Sequence, residues 1–160
     1  MILWYTAGAV FLVWNVFQSP GLDMRAVAVG ALLPLVLDAP FAQQSYAHTL
    51  VAPIVAMTAV MLGTVGRGHR LLRRRLLGLP IGWFCGLVLA GAWAHKEVFW
   101  WPLFGVDIPN VALLPPVGIV VLEELFGVLA AYWCYRRFGL ADPRRREQLW
   151  RHGRVGVVAS

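Results

Sequence analysis

A carboxylate and an imidazole interrupt the largely apolar stretch LVLDAPFAQQSYAHTLVAP at 35–53, where Asp38 precedes His48 by ten residues. Carboxylate oxygen and imidazole nitrogen are ligands that zinc, iron and manganese accept in proteins. The pair therefore indicates a candidate metal site. A spacing of ten is not a specific motif, so a second interpretation stays open, in which Asp38 caps a helix break and His48 is wetted at an interface.

Glu123 and Glu124 lie six and seven residues into another apolar segment. Adjacent residues point about 100° apart on a helix, so we expect one of the two to face inward. That glutamate would complete the site as a ligand or general base, or would pair with a buried donor from another helix. His95 is a further candidate ligand, although next to Glu97 it has the alternative of being solvated.

The composition places these residues in a membrane protein. Of the 160 residues, 59% are hydrophobic and 14% are charged, and the mean hydropathy is +0.67, which is outside the range of soluble domains. The net charge of +6 comes from basic runs beside apolar segments, which is typical of cytoplasmic anchors. We therefore expect no nucleic-acid partner. Cys85 and Cys134 lie in separate apolar segments and indicate neither a disulfide nor a zinc knuckle.

Five segments approach the roughly 20 apolar residues that span a bilayer as helix. They are about 2–18, 25–42, 47–66, 76–94 and 117–138. Pro34 and Pro40 predict that the second segment is broken at its outer end, or re-entrant. The fold class is accordingly all-α, a polytopic helical membrane protein in which residues 1–138 form one domain.

The basic residues orient this arrangement, because all fourteen Lys and Arg except Lys96 fall on one side of it. By the positive-inside rule that side is cytoplasmic, which puts the N-terminus outside and the C-terminus inside. Trp100 and Trp101 would then be anchors at the outer interface. The strongest cytoplasmic anchors are Arg73, Arg74, Arg75, Arg136 and Arg137.

The tail 139–160 is basic and contains the sequence ADPRRREQLW. Asp142 as N-cap and Pro143 at the first helical position predict a short interfacial helix. Its arginines would meet anionic lipid of the inner leaflet. Membrane lipid is thus the expected partner, and a homo-oligomer or a membrane-protein partner is an open alternative.

Several blocks of the chain together resemble the YdjM-like family of predicted membrane-bound metal-dependent hydrolases, in its small actinobacterial branch. They are GALLPLVLDAP, YAHTLVAP, LPIGWFCGLVLAGAW, VFWWPLFG, VLEELFGVLA and DPRRREQLWRHGR. The resemblance implies a multi-helix inner-membrane protein whose polar motifs bind a divalent metal for hydrolysis. It assigns Asp38 and His48 as ligands.

The chain departs from that family at three expected ligand positions, which are occupied by Leu35, Gly86 and Ala90. Gly82, Gly86 and Ala90 instead repeat small residues every four positions, a pattern typical of close helix packing. Two functions follow. One is hydrolysis of a phosphoester or lipid-type substrate at the outer membrane face, with zinc, iron or manganese bound. The other is a catalytically inactive scaffold or accessory subunit without a cofactor.

Overall fold

The structure is a computed structural model that describes residues 1–18, 21–66, 69–105, 107 and 109–153. The end of the predicted tail, 154–160, lies outside the described residues. Within them the regular secondary structure is helical, with turns and loops between the helices and one isolated antiparallel bridge between Gln43 and Ala112, so the all-α prediction is confirmed. The α-helices are α1 Ile2–Phe17, α2 Met24–Asp38, α3 Val51–Gly63, α4 Arg70–Leu76, α5 Gly78–Leu89, α6 Lys96–Phe99, α7 Val117–Arg137 and α8 Pro143–His152.

The helix ends follow local signals in the sequence. α2 continues through Pro34 to Asp38 and then tightens into a 3₁₀ turn at Ala39–Phe41. Pro40 lacks the N–H that a continuing helix would donate, so the interruption falls at this proline and not at Pro34. α5 ends at Leu89, two residues before Gly91, whose φ of 65° cannot continue a right-handed helix.

Two helical stretches are long and apolar enough to cross a membrane, Met24–Phe41 and Val117–Arg137. Ile2–Phe17 and Val51–Gly63 are apolar but shorter, and α5, which corresponds to the fourth predicted segment, has 12 residues. Only 11% of the apolar window of α7 is buried, whereas the core helix of a soluble protein is mostly buried. Its large apolar side chains, Leu125 and Leu129 among them, are exposed.

Glycines let α2 and α5 pack in direct backbone contact. A Cβ atom on Gly82 would lie 2.1 Å from the Val27 carbonyl oxygen, and one on Gly86 would lie 2.4 Å from that of Ala31. Both glycines, which the sequence pattern assigns to a packing face, therefore lie against α2 of the same chain. This contact fixes the position of α2 relative to α5.

α1 lies against α2, α5 and α7 and supplies much of the core. Its buried side chains include Tyr5, Val13 and Trp14, and the Trp14 ring packs edge-on against Phe138 with 5.2 Å between centroids. An edge-on aromatic pair of this kind contributes about 0.5–1.5 kcal/mol.

The N-terminus of α8 has the predicted cap. The Asp142 side chain accepts a hydrogen bond from the Arg144 backbone N–H at 2.9 Å, and Pro143 occupies the first turn. The C-terminal end of α8 docks on the start of α2, where the Met24 N–H donates to the Gly153 carbonyl oxygen at 3.0 Å. The prediction of a short helix in the tail is thus confirmed.

Candidate functional site

Asp38 and His48 form a buried hydrogen-bonded pair. The His48 Nδ1 lies 2.6 Å from Asp38 Oδ2, and the two side chains are 5% and 1% exposed. A carboxylate can only accept, so Nδ1 carries the proton and donates it. The same carboxylate accepts from the Ser45 N–H at 2.7 Å and from the Ser45 hydroxyl. Asp38 therefore fixes the tautomer of His48 and leaves Nε2 as an acceptor.

The turn between α2 and α3 brings the pair together. A second 3₁₀ turn, Tyr46–His48, carries the histidine back over the end of α2. Trp83 of α5 donates its indole N–H to the Ala47 carbonyl oxygen at 2.9 Å, and the Leu50 N–H donates to the Phe99 carbonyl oxygen at 2.9 Å. The position of His48 is thus set by α5 and by the segment 92–99 as well as by its own turn.

Electrostatics make the position of Asp38 costly. It is the last residue of α2, where the helix dipole disfavours a carboxylate. Burial lowers the pKa of His48, which lies in the turn outside α3, and the hydrogen bond and charge of Asp38 partly oppose that shift. The lowered pKa favours the neutral imidazole, whose Nε2 is then available as a base.

His48 lines a cavity of about 380 Å³. The polar side chains on its wall are those of Tyr5, Gln44, His48, His95 and Glu123. The segment 111–116 forms another wall, held against the turn by the Gln44 N–H, which donates to the Val111 carbonyl oxygen at 2.9 Å. The site is therefore built from α1, α2, the 39–48 turn, α5, α7 and two loops.

The two glutamates of α7 have different surroundings. Glu123 lines the cavity, and its Oε2 is buried without a hydrogen-bond partner among the described residues. Glu124 instead accepts from the Met1 ammonium group in an ion pair. Glu123 is thus the glutamate that faces the site, and Glu124 has the buried donor that the alternative interpretation expected.

Of the other predicted residues, some lie near the cavity and the basic ones lie away from it. His95 is exposed at the cavity rim. The Trp101 ring packs edge-on against Tyr46 with 5.1 Å between centroids, and Trp100 packs similarly on Phe99. Their role as membrane anchors stays a prediction. The basic residues away from the cavity are Arg73, Arg74 and Arg75 on α4, and Arg136 and Arg137 at the end of α7.

Leu35, Gly86 and Ala90, where the resemblance leads one to expect metal ligands, all lie on the cavity wall with His48. None of the three side chains can donate a ligand atom, and both oxygens of Asp38 are engaged by Ser45 and His48. Within the described part of the chain, no three His, Cys, Asp or Glu side chains are grouped to hold a metal ion. These residues do not fit the three-ligand arrangement of a catalytic metal.

Sequence reasoning missed Gln44 and Tyr5. A signal for Gln44 was present, because Gln43 and Gln44 are two amides in the turn that joins Asp38 to His48. The choice between them depends on the bridge to 111–113, which buries Gln44 and leaves Gln43 exposed. That bridge joins segments about seventy residues apart and has no local signature.

Fold and site together define an all-helical protein with a carboxylate–histidine pair at the wall of a cavity. Comparison of the chain with protein-family models, curated proteins and solved structures finds no match. The function is therefore argued from the chemistry of the site.

Proposed function

We propose that the chain is a multi-pass protein of the bacterial cytoplasmic membrane. The support is the exposure of α7, since soluble monomeric proteins rarely expose so many large apolar side chains along one helix. The positive-inside rule puts the α4 and α7 arginines in the cytoplasm and the cavity near the outer face. Glycosylation-site or cysteine-labelling insertions after Gly105 and after His152 test the orientation, because the two sites should label from opposite sides.

Within that membrane, we propose that the protein is a hydrolase acting on a phosphoester or lipid-type substrate. The observation that carries the proposal is the buried Asp38–His48 pair on the cavity wall. His48 Nε2 would take a proton from water as the water oxygen bonds to the phosphorus or carbonyl carbon. The leaving oxygen would receive that proton from the His48 imidazolium as its bond breaks, which returns the histidine to its base form. General base catalysis of this kind contributes about 10²–10⁴-fold in rate.

Asp38 would be a positioning residue in this mechanism. Its hydrogen bond holds the Nδ1–H tautomer, and its charge stabilises the imidazolium that forms when Nε2 takes the proton. Glu123 would contact the bound substrate from α7. Neither role requires Glu124, which is held by the Met1 ammonium group.

The test is hydrolysis of bis(p-nitrophenyl) phosphate and of phosphatidylglycerol vesicles by the protein purified in detergent. We expect turnover that falls at least about 100-fold in His48→Ala. The matched control is His69→Ala, because His69 is exposed beside α4 and is not on the cavity wall. Absence of turnover by the folded wild type on both substrates would overturn the hydrolase, as would equal losses in the two variants.

Zinc, iron or manganese stays a prediction of the family resemblance. Elemental mass spectrometry on protein purified without chelators measures it directly, with Asp38→Ala/His48→Ala as the comparison. Near-stoichiometric metal that the double variant loses would support the prediction. Absence of metal from both samples would count against it and would leave the histidine mechanism in place.

A scaffold or accessory subunit is the second proposal. It is favoured by the three wall positions, Leu35, Gly86 and Ala90, that carry no ligand atoms. Because Gly86 contacts Ala31 within the chain, Gly86→Leu would disturb the fold before it disturbed an assembly. The sharper test is the oligomeric size of the wild type in detergent, together with copurifying membrane proteins and absence of turnover.

A further inference from the structure

The cavity offers hydrogen-bond acceptors that have no donor. Gln44 is 8% exposed, and its Nε2 donates to the Ala112 carbonyl oxygen at 3.5 Å. Because that carbonyl can only accept, the amide nitrogen must face it, and the Oε1 must point the other way. This Oε1 is buried and has no hydrogen-bond partner in the described part of the chain.

Two more acceptors lie on the same wall. Glu123 Oε2 is buried and equally without a described partner. His48 Nε2 is an acceptor because Nδ1 donates to Asp38. Leaving buried acceptors unpaired is costly, so a ligand that brings donors to them gains free energy that the empty cavity lacks.

The rest of the cavity wall restricts the class of ligand that can bind. It is largely apolar, with Leu35, Leu113 and Ile119 among its residues. A phosphate oxygen is itself an acceptor and cannot donate a hydrogen bond to these atoms. A hydroxyl group can donate one hydrogen bond to an acceptor, and the carbon chain that carries it can contact the apolar wall. The arrangement thus selects for hydroxyl groups at the buried end of the ligand.

We propose that the cavity binds a hydroxyl-bearing group, either the polyol headgroup of a lipid or a free polyol, through Gln44 Oε1 and Glu123 Oε2. The inference rests on the proposed function, because it names the substrate class of the same site. The recognition group would be a hydroxyl held by Gln44 and Glu123, and the bond to be hydrolysed would lie beside His48.

The first experiment compares two anionic lipids that differ in the headgroup hydroxyls. Native mass spectrometry of the detergent-purified wild type measures binding of phosphatidylglycerol, which has two hydroxyls, and of phosphatidylmethanol, which has none. We expect about tenfold tighter binding of phosphatidylglycerol. Equal affinities would overturn the proposal, and so would a preference for phosphatidylethanolamine over phosphatidylglycerol, which would indicate an ammonium site.

A matched pair of variants assigns the preference to the cavity. Gln44→Met removes the buried acceptor at similar volume and should abolish the preference for phosphatidylglycerol. Gln43→Met makes the same change at the exposed neighbour and should keep it. A preference that survives in Gln44→Met would overturn the proposal. If Gln44→Met does not fold, Glu123→Leu supplies the same comparison, and the wild-type measurement needs no variant.

Competition distinguishes the two sources of the hydroxyl group. Displacement of phosphatidylglycerol by glycerophosphoglycerol at similar concentration would support a free polyol, and binding of the lipid alone would support a lipid headgroup. Failure of this proposal is separable from failure of the hydrolase. A hydroxyl preference without turnover would overturn only the hydrolase, whereas His48-dependent turnover without a hydroxyl preference would overturn only this proposal.

Discussion

Two aspartates mark the two ends of α2, and their surroundings are opposite. Asp23 is the N-cap, 6% exposed, and Asp38 is the last residue, 1% exposed. Asp23 accepts from the Arg25 N–H at 3.0 Å and pairs with the Arg25 guanidinium at 2.9 Å. Asp38 pairs with His48, whose charge depends on pH. One end therefore faces a permanent cation, whereas the other faces a histidine whose charge depends on pH.

The helix dipole gives the two aspartates opposite effects on the stability of α2. A carboxylate is favourable at the N-terminus of a helix, so Asp23 stabilises α2 where it stands. The same group at the C-terminus is unfavourable, and three donors are needed to hold Asp38 there. A residue kept where it weakens its own helix, next to a histidine on a cavity wall, fits a functional role better than a structural one.

The largest expected effect comes from breaking the Asp38–His48 pair. Asp38→Asn should lower kcat/KM for bis(p-nitrophenyl) phosphate by about 100-fold or more, because the amide can donate to Nδ1 and so place the proton on Nε2. Asp23→Asn is the matched control at the other end of α2 and should stay within about twofold. Equal losses in the two variants would mean that both aspartates act only through stability.

The next effect concerns the contact that places both ends of α2. Gly82→Ala should destabilise the protein by about 1–3 kcal/mol, because its Cβ would overlap the Val27 carbonyl oxygen. Gly118→Ala in α7 is the control, since a Cβ there meets nothing within 4 Å. Thermal unfolding in detergent compares the two, and a similar transition temperature for both variants would contradict the backbone contact.

A smaller effect is the pH dependence of the stability that the Asp23–Arg25 pair contributes. Burial alone would raise the pKa of Asp23, but the hydrogen bonds and charge of Arg25 lower it below its usual range. A lowered pKa gives stability that is present above the unfolded value of about 3.9 and is lost as the pH falls through the folded value. Asp23→Asn should therefore cost about 1 kcal/mol at pH 7 and nothing in strong acid, as measured by unfolding at both pH values. A cost independent of pH would point to the cap and not to the charge.

The smallest effect is a shift in the pH dependence of the rate, which the Asp38–His48 pair sets. Burial lowers the pKa of His48, so its base form should persist to a pH below about 6.5, and the rate should fall as the histidine gains a proton. Asp38 opposes the shift, so Asp38→Asn should move the acidic limb of its residual activity to lower pH. Movement of the limb to higher pH would contradict the described pairing.

Much of the fold could be predicted because helix limits depend on neighbours in sequence. The predicted segment 117–138 corresponds to α7 at Val117–Arg137, and Asp142 and Pro143 begin α8 as expected. The segments 47–66 and 76–94 were predicted too long. Their apolar ends form the 3₁₀ turns Tyr46–His48 and Ala92–Ala94, which hydropathy does not distinguish from helix.

The sequence by itself determined the helical class, the limits of α1 and α7, the start of α8 and the presence of ionisable residues in apolar segments. Only the tertiary structure decided that Glu123 and not Glu124 faces the cavity, that Gln44 and not Gln43 is buried, and that Leu35, Gly86 and Ala90 share a wall with His48. The physical reason is the distance along the chain over which each effect acts. Capping, proline and hydropathy act over a few residues, whereas the direction of a side chain is set by helices that meet from distant parts of the chain.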